Sequence, residues 1–152
     1  MKTMMSCLAV LAMAVFTSTT FAQDPAPAPA LPEPTLTSVE VKFDTSRDDK
    51  NSDSLLDVYI KSNHGHEIAK SEGNRGGWSN NSSHVVTLAV EGVKTKEQLA
   101  DGTVVLTFHP HGADHWKFSY KVTLKFSDNS SVIKEFNDCE LTQHDASRTD
   151  SL

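Results

Sequence analysis

Between His115 and Phe126 the chain reads HWKFSYKVTLKF, and every second residue from Trp116 to Phe126 is large and apolar. Lys117, Ser119, Lys121, Thr123 and Lys125 fill the alternate positions. A period of two puts neighbouring side chains on opposite faces of an extended strand, whereas a helix needs apolar residues every three or four positions. The segment therefore predicts one long strand with a dry aromatic face and a basic, solvated face. The same period recurs at Val39, Val41 and Phe43, at Leu56, Val58 and Ile60, at Val86, Leu88 and Val90, and at Val104, Leu106 and Phe108. Ser127-Asp128-Asn129-Ser130 predicts a hairpin turn, with Val132 to Phe136 as the returning strand. Only Thr95 to Leu99 predicts a short helical turn. The expected fold class is all-β, an antiparallel β-sandwich of about seven or eight strands.

The two ends read differently. Lys2, an apolar stretch from Cys7 to Phe16, and the small residues Thr20 and Ala22 predict a signal peptide over residues 1–22, cut before Gln23. The apolar run is too short to cross a bilayer, so the mature chain is expected to carry no transmembrane segment and to be exported, periplasmic or extracellular. Residues 23–35 begin QDPAPAPALPEP, with five prolines in twelve residues, and predict an extended linker. The sandwich domain is expected over residues 36–143, and a polar tail over 144–152. Cleavage leaves Cys139 alone, which excludes an intrachain disulfide. Asp138 and Glu140 beside it predict a thiol of raised pKa rather than a reactive thiolate.

The 152 residues include 14 basic and 20 acidic side chains, for a formal charge of −6. No basic run stands out, so nucleic acid is not an expected partner. The sequence contains no Gly-X-Ser-X-Gly elbow, and no carboxylate pair is set apart from the others. A monomeric, non-enzymatic binding module is the expectation, with a lipid, glycan or protein ligand.

Chemistry concentrates in two loops. Asp44, Asp48, Asp49 and Asp53 lie within ten residues, with Asn51 among them, between two predicted strands. Carboxylates so close repel, and a hard cation with oxygen ligands such as Ca2+ relieves that cost. Asp49, Asn51 and Asp53 match the first ligand positions of an EF-hand. Ser54 stands where its glycine belongs, Ile60 where its bidentate glutamate belongs, and strands flank the loop. The expectation is a calcium-binding sandwich loop, set beside Asp114, against a solvated acidic turn partly neutralised by Arg47 and Lys50. The second loop carries His109, His111 and His115, with His64 and His66 as a further pair. Imidazoles at this spacing make zinc or copper binding the alternative expectation, against exposed loop histidines of no set role.

Two stretches, VKFDTSRDDKNSDSLLDVYI and HPHGADHWKFSYKVTLKFSDNSSV, resemble the two halves of a PLAT (lipoxygenase-homology) domain of secreted bacterial proteins. Asp48, Asp49 and Asp53 fit its Asp-rich turn. Gly112-Ala113-Asp114-His115-Trp116 fits the Gly-X-Asp-X-Trp element that opens its long strand. The resemblance covers most of residues 36–143 and implies a β-sandwich with calcium-assisted binding to lipid or protein partners.

Trp78 follows Gly76-Gly77 in a polar loop and is the candidate ligand contact; the alternative is a plug at one end of the sandwich. Trp116 is expected in the core. Asn80, Asn81 and Asn129 each head an Asn-X-Ser sequence and read as turn residues.

Overall fold

The structure is a computed structural model that describes residues 31–152. The predicted signal peptide and the linker as far as residue 30 lie outside the described residues. In chain order the elements are β1 (Leu36–Thr45), β2 (Leu55–Lys61), β3 (Glu67–Asn74), β4 (Ser83–Val90), α1 (Lys96–Leu99), β5 (Thr103–His109), β6 (His115–Phe126), β7 (Ser131–Thr142) and β8 (Ser147–Ser151). The strands run β7-β6-β1-β4-β3-β2-β5-β8, and every neighbouring pair is antiparallel. The all-β antiparallel fold read from the alternation is the one formed.

Side-chain alternation sets the register. Val39, Val41 and Phe43 of β1 lie opposite Leu124, Val122 and Tyr120 of β6. On the other flank, Val39 and Val41 lie opposite Leu88 and Val86 of β4. Directly opposed residues share a face, so one dry surface runs across three strands, and a slip of one residue would turn it to solvent. Leu56, Val58 and Ile60 of β2 meet Phe108, Leu106 and Val104 of β5 in the same way. All of these side chains are buried, each contributing about 1.5–3 kcal/mol to folding.

Pairing between β3 and β4 is short, Ala69 with Val90 and Lys70 with Ala89. Here the sheet folds over, and the β5 and β6 faces meet through Phe108 and Trp116, with ring centroids 6.1 Å apart. The helical turn lies where Thr95 to Leu99 predicts it: Gln98 Oε1 accepts from the Thr95 backbone N–H at 3.1 Å, and Leu99 is buried. The 127–130 turn also forms, with Asn129 left-handed at φ 63° and Asp128 Oδ1 accepting from the Ser130 N–H at 3.0 Å. Asn81 is left-handed too, at φ 59°. Such backbone suits asparagine better than most residues, because its short polar side chain bonds locally.

Two strands are absent from the alternation. β3 reads EIAKSEGN and buries only Ile68 and Ala69. β8 lies in the segment expected to be a polar tail, and this corrects that expectation. Ser147 to Ser151 pair with Thr107 to Thr103 of β5, and the Leu152 N–H donates to the Gly102 carbonyl, so the sheet continues past residue 143. The linker boundary moves slightly too, since Thr35 already bridges to Thr95.

Candidate functional site

Three connections meet at one end of the sandwich: the β1–β2 loop, the segment before β4, and the β5–β6 loop. Lys50 and Trp78 form a two-way backbone bridge, with N–H to carbonyl distances of 3.2 and 2.9 Å. The Gly76 N–H donates to the Ser52 carbonyl. From the third connection, Asp114 is 4% exposed and its Oδ2 accepts from the Asn51 N–H at 3.1 Å. The His111 N–H donates to the buried Ser54 hydroxyl at 2.9 Å. The acidic loop and Asp114 are thus neighbours, joined by a hydrogen bond to backbone.

The expected calcium ligands do not converge. Asp44 lies on β1, where it pairs with Lys42 at 2.7 Å and accepts from the Ser83 hydroxyl, and these contacts hold its carboxyl below the usual carboxylate range. Asp48 pairs with Lys117 at 3.1 Å and Asp53 with His111 at 2.8 Å. Asp49 and Asn51 are exposed. Asp114 spends its two oxygens on the backbone N–H groups of Asn51 and His115.

The transition-metal alternative meets the same obstacle. His109 pairs with Asp57 at 2.7 Å, His111 with Asp53, and His115 with Glu140 at 2.5 Å. Each imidazole pairs with a different carboxylate. Among the described residues, no three His, Cys, Asp or Glu side chains gather around a metal-sized site.

At the centre of the acidic loop lies a lysine. Lys50 is fully buried, and its Nζ donates to the carbonyls of Ser54 at 2.5 Å, Gly76 at 2.9 Å and Asn51 at 3.3 Å. The ammonium also lies 5.3 Å from the Trp78 ring centroid, within cation–π range. Burial pushes the Lys50 pKa below that of an ordinary lysine, while the charges of Asp114 and Asp53 pull it back. In sequence Lys50 reads as a solvated neutraliser, and no local pattern marks it as internal.

Trp78 takes the plug role, which corrects its candidacy as a ligand contact. It is 4% exposed and stacks on His84 at 4.9 Å, with Phe43 at 5.2 Å and an edge contact to Trp116 at 5.1 Å. Trp116 is wholly buried, and its indole N–H donates to the Thr45 hydroxyl at 3.1 Å. Cys139 is buried as well, and desolvation, more than the nearby carboxylates, pushes its thiol up to about 11.

A groove of about 590 Å³ lies elsewhere, between the β2–β3 turn and the segment entering α1. Ser62, Asn63, His64, His66, Thr95 and Gln98 line it with hydroxyl, amide and imidazole groups. Glu33, Lys94 and Glu97 stand at it too, and Ile68 is its single aliphatic side chain. Both walls are braced: the Ser62 N–H donates to the His66 carbonyl at 2.8 Å, and the Leu36 N–H to the Lys94 carbonyl at 2.7 Å. Of these residues, sequence reasoning singled out only His64 and His66, as a possible metal pair.

The chain matches no family model, and no curated protein matches it at a significant level.

Proposed function

We propose that this chain is an exported, non-enzymatic binding module whose polar groove takes a hydroxyl-rich ligand, with a glycan as the class that fits its lining. The groove carries the reading. Its volume falls within the range of small-molecule sites, and its walls are held by backbone hydrogen bonds before any ligand arrives. Amide, hydroxyl and imidazole groups supply both donors and acceptors, which match sugar hydroxyls, and the apolar part of the lining can meet the C–H faces of a sugar ring. The non-enzymatic reading is supported by the chemistry elsewhere. The sole cysteine among the described residues is kept protonated by burial.

Export rests on the predicted signal at residues 1–22. The PLAT-like reading supports this proposal through its architecture alone, because the expected calcium ligands are dispersed among other partners.

Titration calorimetry with soluble oligosaccharides tests the proposal. Asn63→Ala with Gln98→Ala is expected to weaken binding about tenfold per hydrogen bond lost, with a small drop in melting temperature from Gln98→Ala, which removes the acceptor for the Thr95 N–H. Binding that ignores both substitutions, or a chain that takes peptides or vesicles and no oligosaccharide, overturns it.

A further inference from the structure

We infer that Lys50 is the resident cation of the acidic loop, its ammonium standing where a calcium ion would otherwise be needed to close the loop.

A metal in such a loop does two jobs: it gathers backbone carbonyls from separate segments, and it offsets the surrounding carboxylates. Lys50 does both. Its three acceptors come from two connections, with Asn51 and Ser54 on its own loop and Gly76 on the segment before β4. Three donors on one ammonium meet three carbonyls, so its hydrogen-bonding capacity is filled. Asp114 and Asp53 supply the compensating negative field. The fourth side is closed by the indole face of Trp78, whose π-system favours a cation and keeps water out.

A buried charge is costly unless it is paired and fully hydrogen-bonded. This one is held on every side. The backbone bridge between Lys50 and Trp78 fixes the stem of the side chain on the segment its head group ties down. With the ammonium in place, a divalent ion would have to compete with a covalently tethered cation for the same carbonyls. The loop is therefore closed at all calcium concentrations, and its exposed carboxylates are left to pair with His111 and Lys117.

The test has three arms. In the wild-type protein, millimolar calcium and its removal by EGTA are expected to leave the melting temperature unchanged. A calcium-dependent rise that is erased by Asp53→Asn or Asp114→Asn overturns the inference.

Lys50→Met keeps the aliphatic stem but leaves the carbonyls of Ser54 and Gly76 without a donor, while that of Asn51 keeps the Ser54 N–H, and a drop of about 10 °C is expected. Lys50→Ala, which leaves space, is expected to recover part of its loss in ammonium or methylammonium chloride and not in tetramethylammonium chloride. A Lys50→Met protein as stable as wild type overturns the inference.

If neither variant folds, nitrogen-15 NMR of the wild-type lysine side chains decides. One ammonium with slowly exchanging protons and couplings to backbone carbonyls is expected. Uniformly fast exchange overturns the inference.

Discussion

The hydroxyl of Tyr120 donates to Asp150 Oδ2 at 2.6 Å, joining β6 to β8 across the seam between the two ends of the sheet. Arg148 grips the same carboxylate through two donors, at 2.5 and 2.9 Å. Both β8 side chains point inward, since Asp150 lies opposite buried Val104 and Arg148 opposite buried Leu106. Inward charges on a short edge strand discourage pairing with another chain. Here they also latch the seam.

Tyr120→Phe removes the hydroxyl and leaves the ring in place, so a loss of about 1–2 kcal/mol is expected. Ending the chain at Gln143 removes β8 and bares the β5 edge, and a much larger loss is expected. Urea unfolding of both variants checks the order, and a truncated chain as stable as Tyr120→Phe would show that β8 adds nothing beyond the latch.

High pH should unfold the protein through groups held protonated by burial. The folded-state pKa of Cys139 lies at about 11, against an unfolded value of 9.0. Its contribution is therefore complete below pH 9 and lost as pH rises towards 11. Tyr120, raised by burial and by its bond to Asp150, adds a further loss above pH 10. Urea titrations at stepped pH should show stability falling over this window. Cys139→Ala should flatten the part between 9 and 11, and the difference between the two proteins isolates the thiol.

At low pH the 127–130 turn is the place to look. Two hydrogen bonds from Ser130, and then Lys96, hold the Asp128 carboxyl down to about 2. Because its folded pKa is depressed, its contribution is present above pH 3.8 and lost as pH falls towards 2. Asp128→Ala should lower stability slightly at neutral pH and weaken the pH dependence over that interval. Equal acid slopes for the two proteins would remove the turn from the account.

Trp78 should behave as core. Trp78→Ala is expected to cost about 3–5 kcal/mol, the usual range for an aromatic truncated in a packed site. Tryptophan emission should be blue-shifted and insensitive to iodide, since Trp78 and Trp116 are 4% and 0% exposed. A readily quenched indole would contradict the stacking on His84.

The strands with strong alternation were legible because their signal is local: Trp116 to Phe126 can form one dry face only as a strand. β3 and β8 were not. Glu67 to Asn74 buries two apolar residues, and Ser147 to Ser151 buries none. Both are strands because neighbours supply hydrogen-bonding edges, and an edge is a property of the assembled sheet.

The candidate site shows the same division. The acidic loop, its proximity to Asp114 and the three-histidine cluster can all be read along the chain, but the partner of each charge cannot. Asp53 meets His111 and Asp48 meets Lys117 across wide sequence separations. Lys50 enters the interior because carbonyls from two connections and the Trp78 ring surround it there. By itself the sequence determined an all-β chain with an acidic loop at a strand connection. Tertiary structure decided which cation answers that acidity, since desolvation and hydrogen-bond geometry exist only once distant segments meet.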